Sequence, residues 1–191
     1  KSEVLARMKT SDKGIELIKQ FEGLQLMAYK PLPSEKYFTI GYGHNGPDVK
    51  AGARITSIQA ENILKIDLKR YERAVLKIRN DWTQGQFDAL VSFAYNCGEK
   101  NLSQLCAGRS PQQIADALLK YNKAGGKVLE GLNKRRVAER KLFMQSVDHT
   151  ENIKRLQALI NDLGYKPALV CDGVIGTKTK NGLIWAFGVT I

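Results

Sequence analysis

Residues 18–44, "IKQFEGLQLMAYKPLPSEKYFTIGYGH", change their periodicity halfway along. Upstream of the change, Ile15, Ile18 and Phe21 recur at helical spacing with Leu17 beside them, which predicts a short amphipathic helix over 12–22. Gly23 stands where a left-handed helix C-cap is expected. Downstream, residues 24–54 lose helical spacing and turn rich in Gly, Pro and aromatics, which predicts a small hairpin-like β region. Gly41 and Gly43 alternate with Tyr42, a pattern that lets backbone approach backbone or ligand closely. The acidic residue at the junction is Glu22. A carboxyl there faces the negative end of the helix macrodipole, which disfavours its ionised form and suits a general acid.

Beyond residue 54 the helical signals resume, each with its own start. Thr56 with Gln59 makes a capping-box pattern ahead of Ile63, Leu64, Leu68, Tyr71 and Val75, and Thr83 with Gln86 repeats it ahead of Phe87, Leu90, Val91 and Ala94. Ser110 followed by Pro111 opens a third helix through Ile114, Ala117, Leu118 and Tyr121. After "NKAGGK" a fourth runs over about 129–145. A drop in charge around 146–150 marks a boundary. Beyond it, two short helices bracket "KPALVCDGVIG", enough for a compact module but not for a large core. The class is α+β, dominated by helix, with domains at 1–146 and 150–191.

The composition is that of a soluble globular chain: 191 residues, 43% hydrophobic, 26% charged, and no apolar run long enough to cross a bilayer. The net charge of +11 draws the protein towards polyanions, whether nucleic acid, anionic lipid or an acidic cell wall. The surplus is uneven, for the segment from Ser146 onward carries only +1. The odd cysteine count (Cys97, Cys106, Cys171), with no CxxC pair, argues against a disulfide framework or a zinc knuckle and for small buried thiols. His44 and His149 lie too far apart in sequence to begin a His-rich site, so no metal and no cofactor is expected.

With these blocks in view, the chain resembles the phage-type lysozymes, the endolysin muramidases of glycoside hydrolase family 24. The likeness rests on "FEG", "AY" and "TIGYGH", then "NGPDVKAGARIT", "QFDALVSFAYNCG" and "AGGKVLEGLNKRRVAERKLF" in that order. It implies a lysozyme-like fold, with a small β-hairpin lobe and a mainly helical lobe. It also implies cleavage of the β-1,4 bond between N-acetylmuramic acid and N-acetylglucosamine in peptidoglycan. By the same likeness Glu22 is the general acid and Thr39 helps to position the attacking water. The chain departs from the family where an Asp or Cys usually follows the Glu by nine residues: here stands Pro31, and the loop before Thr39 is two residues longer.

Pro31 offers no side-chain acceptor, so the second catalytic role must move. Glu35, in the lengthened "PLPSEKYF" loop, is either that second carboxylate or a solvated charge between Ser34 and Lys36. Inverting hydrolysis needs two carboxyl groups roughly 6.5–9.5 Å apart. With one Glu alone, the sugar's own C6 hydroxyl can attack instead, as in lytic transglycosylases. Tyr29 and Tyr42, with Tyr37 and Phe38, either stack on sugar faces or fill the core of the small sheet. Asn96 is a candidate for an N-acetyl group. His44 is expected at the back of the cleft, packed or hydrogen-bonded. Arg135, Arg136 and Arg140 resemble a family feature that ties the helical lobe together.

The segment after residue 150 resembles the first class of peptidoglycan-binding domains, through Leu156, Gln157, Leu159, Gly164, Asp172, Gly173, Gly176, Thr179 and Phe187. Asp172-Gly173 predicts a turn and Thr177 a helix cap. The expected partner is therefore peptidoglycan, met by a monomer that does not insert stably into membrane. The site of action is the bacterial wall, in the periplasm or outside the cell. It is reached either as an endolysin released from the host cytoplasm or as a secreted enzyme with a leader ahead of Lys1. A non-catalytic wall-binding protein, silenced at Pro31, is the rival from another class. A nucleic-acid binder is disfavoured, because the basic residues are scattered along helices rather than grouped with stacking aromatics.

Overall fold

The computed structural model describes residues 8–145, 149–172 and 174–188. The chain divides into two compact units, Lys1–Gln145 and Ser146–Ile191. The first unit is a mixed fold of a small antiparallel sheet and a helical body. It opens with helix α1 (Asp12–Glu22), whose N-cap Ser11 accepts from the Gly14 amide. Strands β1 (Gln25–Tyr29), β2 (Phe38–Gly41) and β3 (His44–Gly46) follow and pair in the order β1-β2-β3. Gln25 pairs with Gly41 and Tyr29 with Thr39, so a bulge falls between them. The outer edge of β1 is not bare. Met27 bridges to Arg54, with Ala28 N to Ala53 O at 2.9 Å and Ile55 N to Leu26 O at 3.0 Å, which blunts the edge against further pairing. Ala28, Ile40 and Val49 make the small core of this lobe.

Both expected capping boxes form. Thr56 opens α2 (Ser57–Ile78) and Thr83 opens α3 (Gln84–Cys106), each with its Gln returning the bond. Ser110 and Pro111 open α4 (Pro111–Leu118), where Gln113 completes a third box. The Gly125-Gly126 pair, both at positive φ, makes a two-residue turn between β4 (Lys123–Ala124) and β5 (Lys127–Val128). This tiny hairpin sits where the sequence read only a loop. Helix α5 (Glu130–Phe143) completes the unit.

Helix α3 is the axle of the helical body. Every residue from Phe87 to Ala94 is buried, so the helix is covered all round rather than amphipathic. It breaks at Gly98, whose φ of 82° and ψ of 164° are non-helical. Asp88, on its first turns, is also buried and accepts from Ser11 N at 2.9 Å, from the Ser11 hydroxyl and from Gln84 Nε2 at 2.8 Å. Burial pushes its carboxyl above the ordinary aspartate value, against those three donors. The N-terminus of α1 is thereby pinned to α3, which fixes where Glu22, at the other end of α1, can lie.

The second unit holds α6 (His149–Asp162) and α7 (Thr177–Phe187) around Ile160, Leu169 and Leu183. The buried Gln157 is its knot. Its Nε2 donates to Asp172 Oδ1 at 2.9 Å, Val174 O at 3.0 Å and Thr179 Oγ1 at 3.0 Å. Thr177 is the first helical residue rather than the cap, which is Gly176 with no side-chain bond. Gly173 lies outside the described residues. Of the three free thiols, Cys106 is buried, Cys97 half-buried and Cys171 exposed, so the expectation of buried thiols holds in full only at Cys106 and fails at Cys171. No helix among the described residues is long and apolar enough to cross a membrane.

Gly14 packs α1 tightly against Asp88 of α3. A methyl there would lie 2.8 Å from Asp88 Cβ and 2.7 Å from Thr10 Cγ2. Gly14→Ala is expected to destabilise the fold by about 1–3 kcal/mol through overpacking, read as a lower urea midpoint.

Candidate active site

Glu22 ends α1 just before Gly23, whose φ of 71° turns the chain into β1. Its side chain stays one-fifth exposed, while Oε1 accepts from Arg135 Nη1 at 2.6 Å. Arg135, itself 3% exposed, spends its other donors inside: Nε on Glu139 Oε1 at 3.1 Å and Nη2 on Ser92 O at 3.2 Å. Glu139 also accepts from Ser92 Oγ at 2.7 Å and faces Arg136 Nε at 3.1 Å, an ion pair without hydrogen-bond alignment. Arg136 sends Nη2 to Asn96 Oδ1 at 2.7 Å. Burial pushes the Glu139 carboxyl above the ordinary glutamate value, and the two guanidiniums pull the other way. In this cluster two guanidiniums therefore face two carboxyl groups.

Against Glu22 lies the "GYGH" turn. A side chain built on Gly43, where φ is 97°, would sit 3.6 Å from both Glu22 Oε2 and Tyr95 Oη. Glycine is favoured here by its backbone angle, since the added atom itself would meet only ordinary contacts. Tyr95 Oη donates to Tyr42 O at 2.8 Å and fastens the turn to α3. A cleft of about 510 Å³ opens beside it, lined by Glu22, Gly43, His44, Asn45, Ile66, Asp67, Arg70, Tyr71, Arg73, Tyr95 and Asn96.

Of the residues singled out from sequence, Glu22, His44 and Asn96 meet on this wall. His44 is clamped, with Nδ1 on Asp67 Oδ2 and Nε2 on Asp48 Oδ2, both at 2.9 Å. Burial works to lower its basicity, but the two carboxylates outweigh burial and raise it above an ordinary histidine. Thr39 is buried behind the wall and reaches it through Asn45, whose Nδ2 donates to Thr39 Oγ1 at 3.0 Å. Glu35 is not on the wall; its amide closes a turn on Leu32 O at 3.0 Å. Tyr29 is exposed on β1 and outside the lining.

Tyr42 needs correction. It is 8% exposed, packs in the helical core and lies under Lys19 Nζ, 5.8 Å from the ring centre, so its ring has no free face for a sugar. Phe38 does serve the sheet's own core. The sequence reading missed Asp67, Asn45 and Glu139. Asp67 is signalled only as a charge on the border of the apolar stripe formed by Leu64, Leu68 and Tyr71. Among the described residues, no group of His, Cys, Asp and Glu is placed to hold a metal ion.

A small sheet, a helical body and a helix-end carboxylate clamped by a buried arginine define a lysozyme-like fold. Residues 19–139 match the family described as Phage lysozyme, and the chain belongs to that family. It is 47% identical over 154 residues to an endolysin of Bacillus phage B103, covering 78% of this chain and 58% of that protein. To an endolysin of Lactococcus phage c2 it is 44% identical over 147 residues, covering 76% and 64%. The chain thus spans less than two-thirds of the length of these relatives. Among solved structures, the muramidase domain of SpmX from Asticaccaulis excentricus is similar with a TM-score of 0.66 at 37% identity, covering 73% of this chain and all of that one. An endolysin from Escherichia coli O157:H7 phage FAHEc1 gives 0.62 at 37% identity, covering 74% and 96%.

Glu139→Ala removes the carboxylate that two buried guanidiniums share, the only one that Arg136 meets among the described residues, and is expected to cost about 3–5 kcal/mol, read by urea unfolding. The His44 pairing predicts a pH signature. A base strengthened by folding contributes stability that is complete below its unfolded value near 6.5 and is lost as the pH rises through its folded value. His44→Asn should abolish that part of the stability–pH profile above pH 6.5.

Proposed function

We propose that the protein lyses peptidoglycan as a muramidase, with Glu22 as the general acid. The observation that carries this reading is the division of labour between the two carboxylate oxygens. Oε1 is fixed by Arg135, and among the described residues nothing donates to Oε2, which faces the Gly43 turn at the cleft. A proton on Oε2 passes to the glycosidic oxygen as the bond to the anomeric carbon breaks. Water adds at that carbon and its proton leaves to solvent or base, so one bond is exchanged for another without redox change. Thr39 and Asn45 are the groups proposed to steer that water, and the Asn96 amide nitrogen, left over by the Arg136 bond to its oxygen, suits an acetamido carbonyl. His44, held by two carboxylates, is a positioning group for the turn. Glu35 stays the candidate base only if the 30–37 loop carries it to the sugar.

A second reading keeps the same acid. Pro31 supplies no acceptor, and Asp67, the other carboxylate on the wall, is engaged by His44. Attack by the muramic C6 hydroxyl then replaces water and yields an anhydro product. For the second unit we propose wall binding, supported by the way Gln157, Asp172 and Thr179 close on one another beside a hollow of about 300 Å³. Action on the bacterial wall by a monomer fits both units.

Glu22→Gln should lower peptidoglycan clearing by about 10²–10⁴-fold; the amide keeps an oxygen for Arg135 but not the charge, so the midpoint of thermal unfolding should drop while the fold is retained. Unchanged clearing overturns the reading. Mass spectrometry of wild-type digests separates the two chemistries, since hydrolysis leaves reducing muramic ends and transglycosylation leaves anhydro ends.

A further inference from the structure

Each carboxylate on the cleft wall has a basic partner: Glu22 has Arg135, and Asp67 has His44, which is shared with Asp48. Arg70 pairs through Nε with Glu99 of α3. That leaves Arg73, exposed on the same wall, with no carboxylate within ion-pair distance among the described residues. Ile66, Arg70 and Arg73 follow one another at i, i+4 and i+7 on α2, so they form one stripe along the cleft. Ile66 is 62% exposed, an apolar side chain left in water beside two guanidiniums. Glu99 and the Tyr71 ring, 5.7 Å away, orient the Arg70 guanidinium, and its Nη groups have no partner among the described residues. A planar donor pair beside a second, unmatched guanidinium is the arrangement that receives a carboxylate in two-pronged fashion.

Resting on the muramidase reading, we propose that this α2 stripe is a specificity site for the stem peptide carried by the muramic acid. Arg73 and the Nη edge of Arg70 take a peptide carboxylate, and Ile66 packs on an alanine methyl. An exposed Arg73 without an ion-pair partner among the described residues favours this occupant over a neutral glycan, which has no group to neutralise it. The site chooses which strands enter the cleft and performs no bond-making step. Because Arg73 is exposed, the preference it confers weakens with added salt.

The test is equilibrium binding to the full chain carrying Glu22→Gln, so that ligand survives. The probes are a disaccharide–tetrapeptide with free stem carboxylates and the same compound with those carboxylates amidated. The free acid should bind about ten-fold more tightly at low salt. Adding Arg73→Ala should bring the two affinities together, and Arg73→Lys should restore part of the gap, since lysine keeps the charge without the fork. Equal binding of acid and amide, equal weakening of both by Arg73→Ala, or no binding of either overturns the proposal. Wild-type clearing is scored separately. Its absence sinks the muramidase reading without touching the acid-versus-amide comparison.

Discussion

The pairing of Glu22 with Arg135 is the contact on which the site's geometry depends. It joins residues 113 positions apart, the last turn of α1 and the second turn of α5, and it does so at the foot of the cleft. A buried guanidinium is tolerable only when its charge is met and its donors are used, because desolvation otherwise exceeds what pairing returns. Here Glu139 and Ser92 meet that demand from behind, with Arg136 closing the circle. Well-packed hydrocarbon in place of such a cluster is often neutral or stabilising. What hydrocarbon would not supply is a fixed direction for one carboxylate oxygen, leaving the other to face outward.

That arrangement explains why α3 must be buried on every side. Ser92 lies within the run Phe87–Ala94 and offers both its carbonyl and its hydroxyl to the ion cluster, while Asp88, one turn earlier, holds Ser11 at the start of α1. One helix therefore anchors both ends of the support of Glu22: the start of the helix that bears it, and the guanidinium that orients its side chain. Tyr95, a turn further on, fastens the Gly43 turn from the other side. Close packing makes these constraints add up, since a shift of α3 would have to move all three at once.

How much of this the sequence shows depends on whether a feature is local. The capping boxes at Thr56 and Thr83, the Ser110-Pro111 start and the Gly23 stop are written within four residues each, and the structure has them all. The glycines on either side of Tyr42 were legible as an alternation; what they supply is positive φ rather than an unusually close approach. The inward face of α5 was not, because its buried residues, Arg135, Arg136, Glu139, Leu142 and Phe143, keep helical spacing but begin with charges. Apolar periodicity passes over such a stripe, and only the family likeness pointed to the arginines. Tyr42 misled for the opposite reason. An aromatic in a Gly-rich turn reads as a sugar platform, yet a turn folded against α3 drives its ring into the core. The Asp67 clamp on His44 spans 23 residues and leaves no local mark beyond a charge at the edge of an apolar stripe.

These cases together divide the charges of the first unit into two kinds. Those of the ion cluster are matched one to one and held still, so they contribute geometry but almost no field beyond the cleft. The surplus lies elsewhere, on exposed lysines and arginines whose partners are few, and nearly all of the net +11 precedes Ser146. A field of that kind raises the rate of encounter with a polyanion and fades within about a Debye length, roughly 8–10 Å at ordinary ionic strength. It cannot choose between two positions on the same strand. Discrimination at that scale needs a cation inside the cleft that the fold leaves unmatched, and the wall offers one in Arg73. The fold thus assigns stability to neutralised charge and approach to exposed charge, and the proposed selection falls to a cation on the cleft wall.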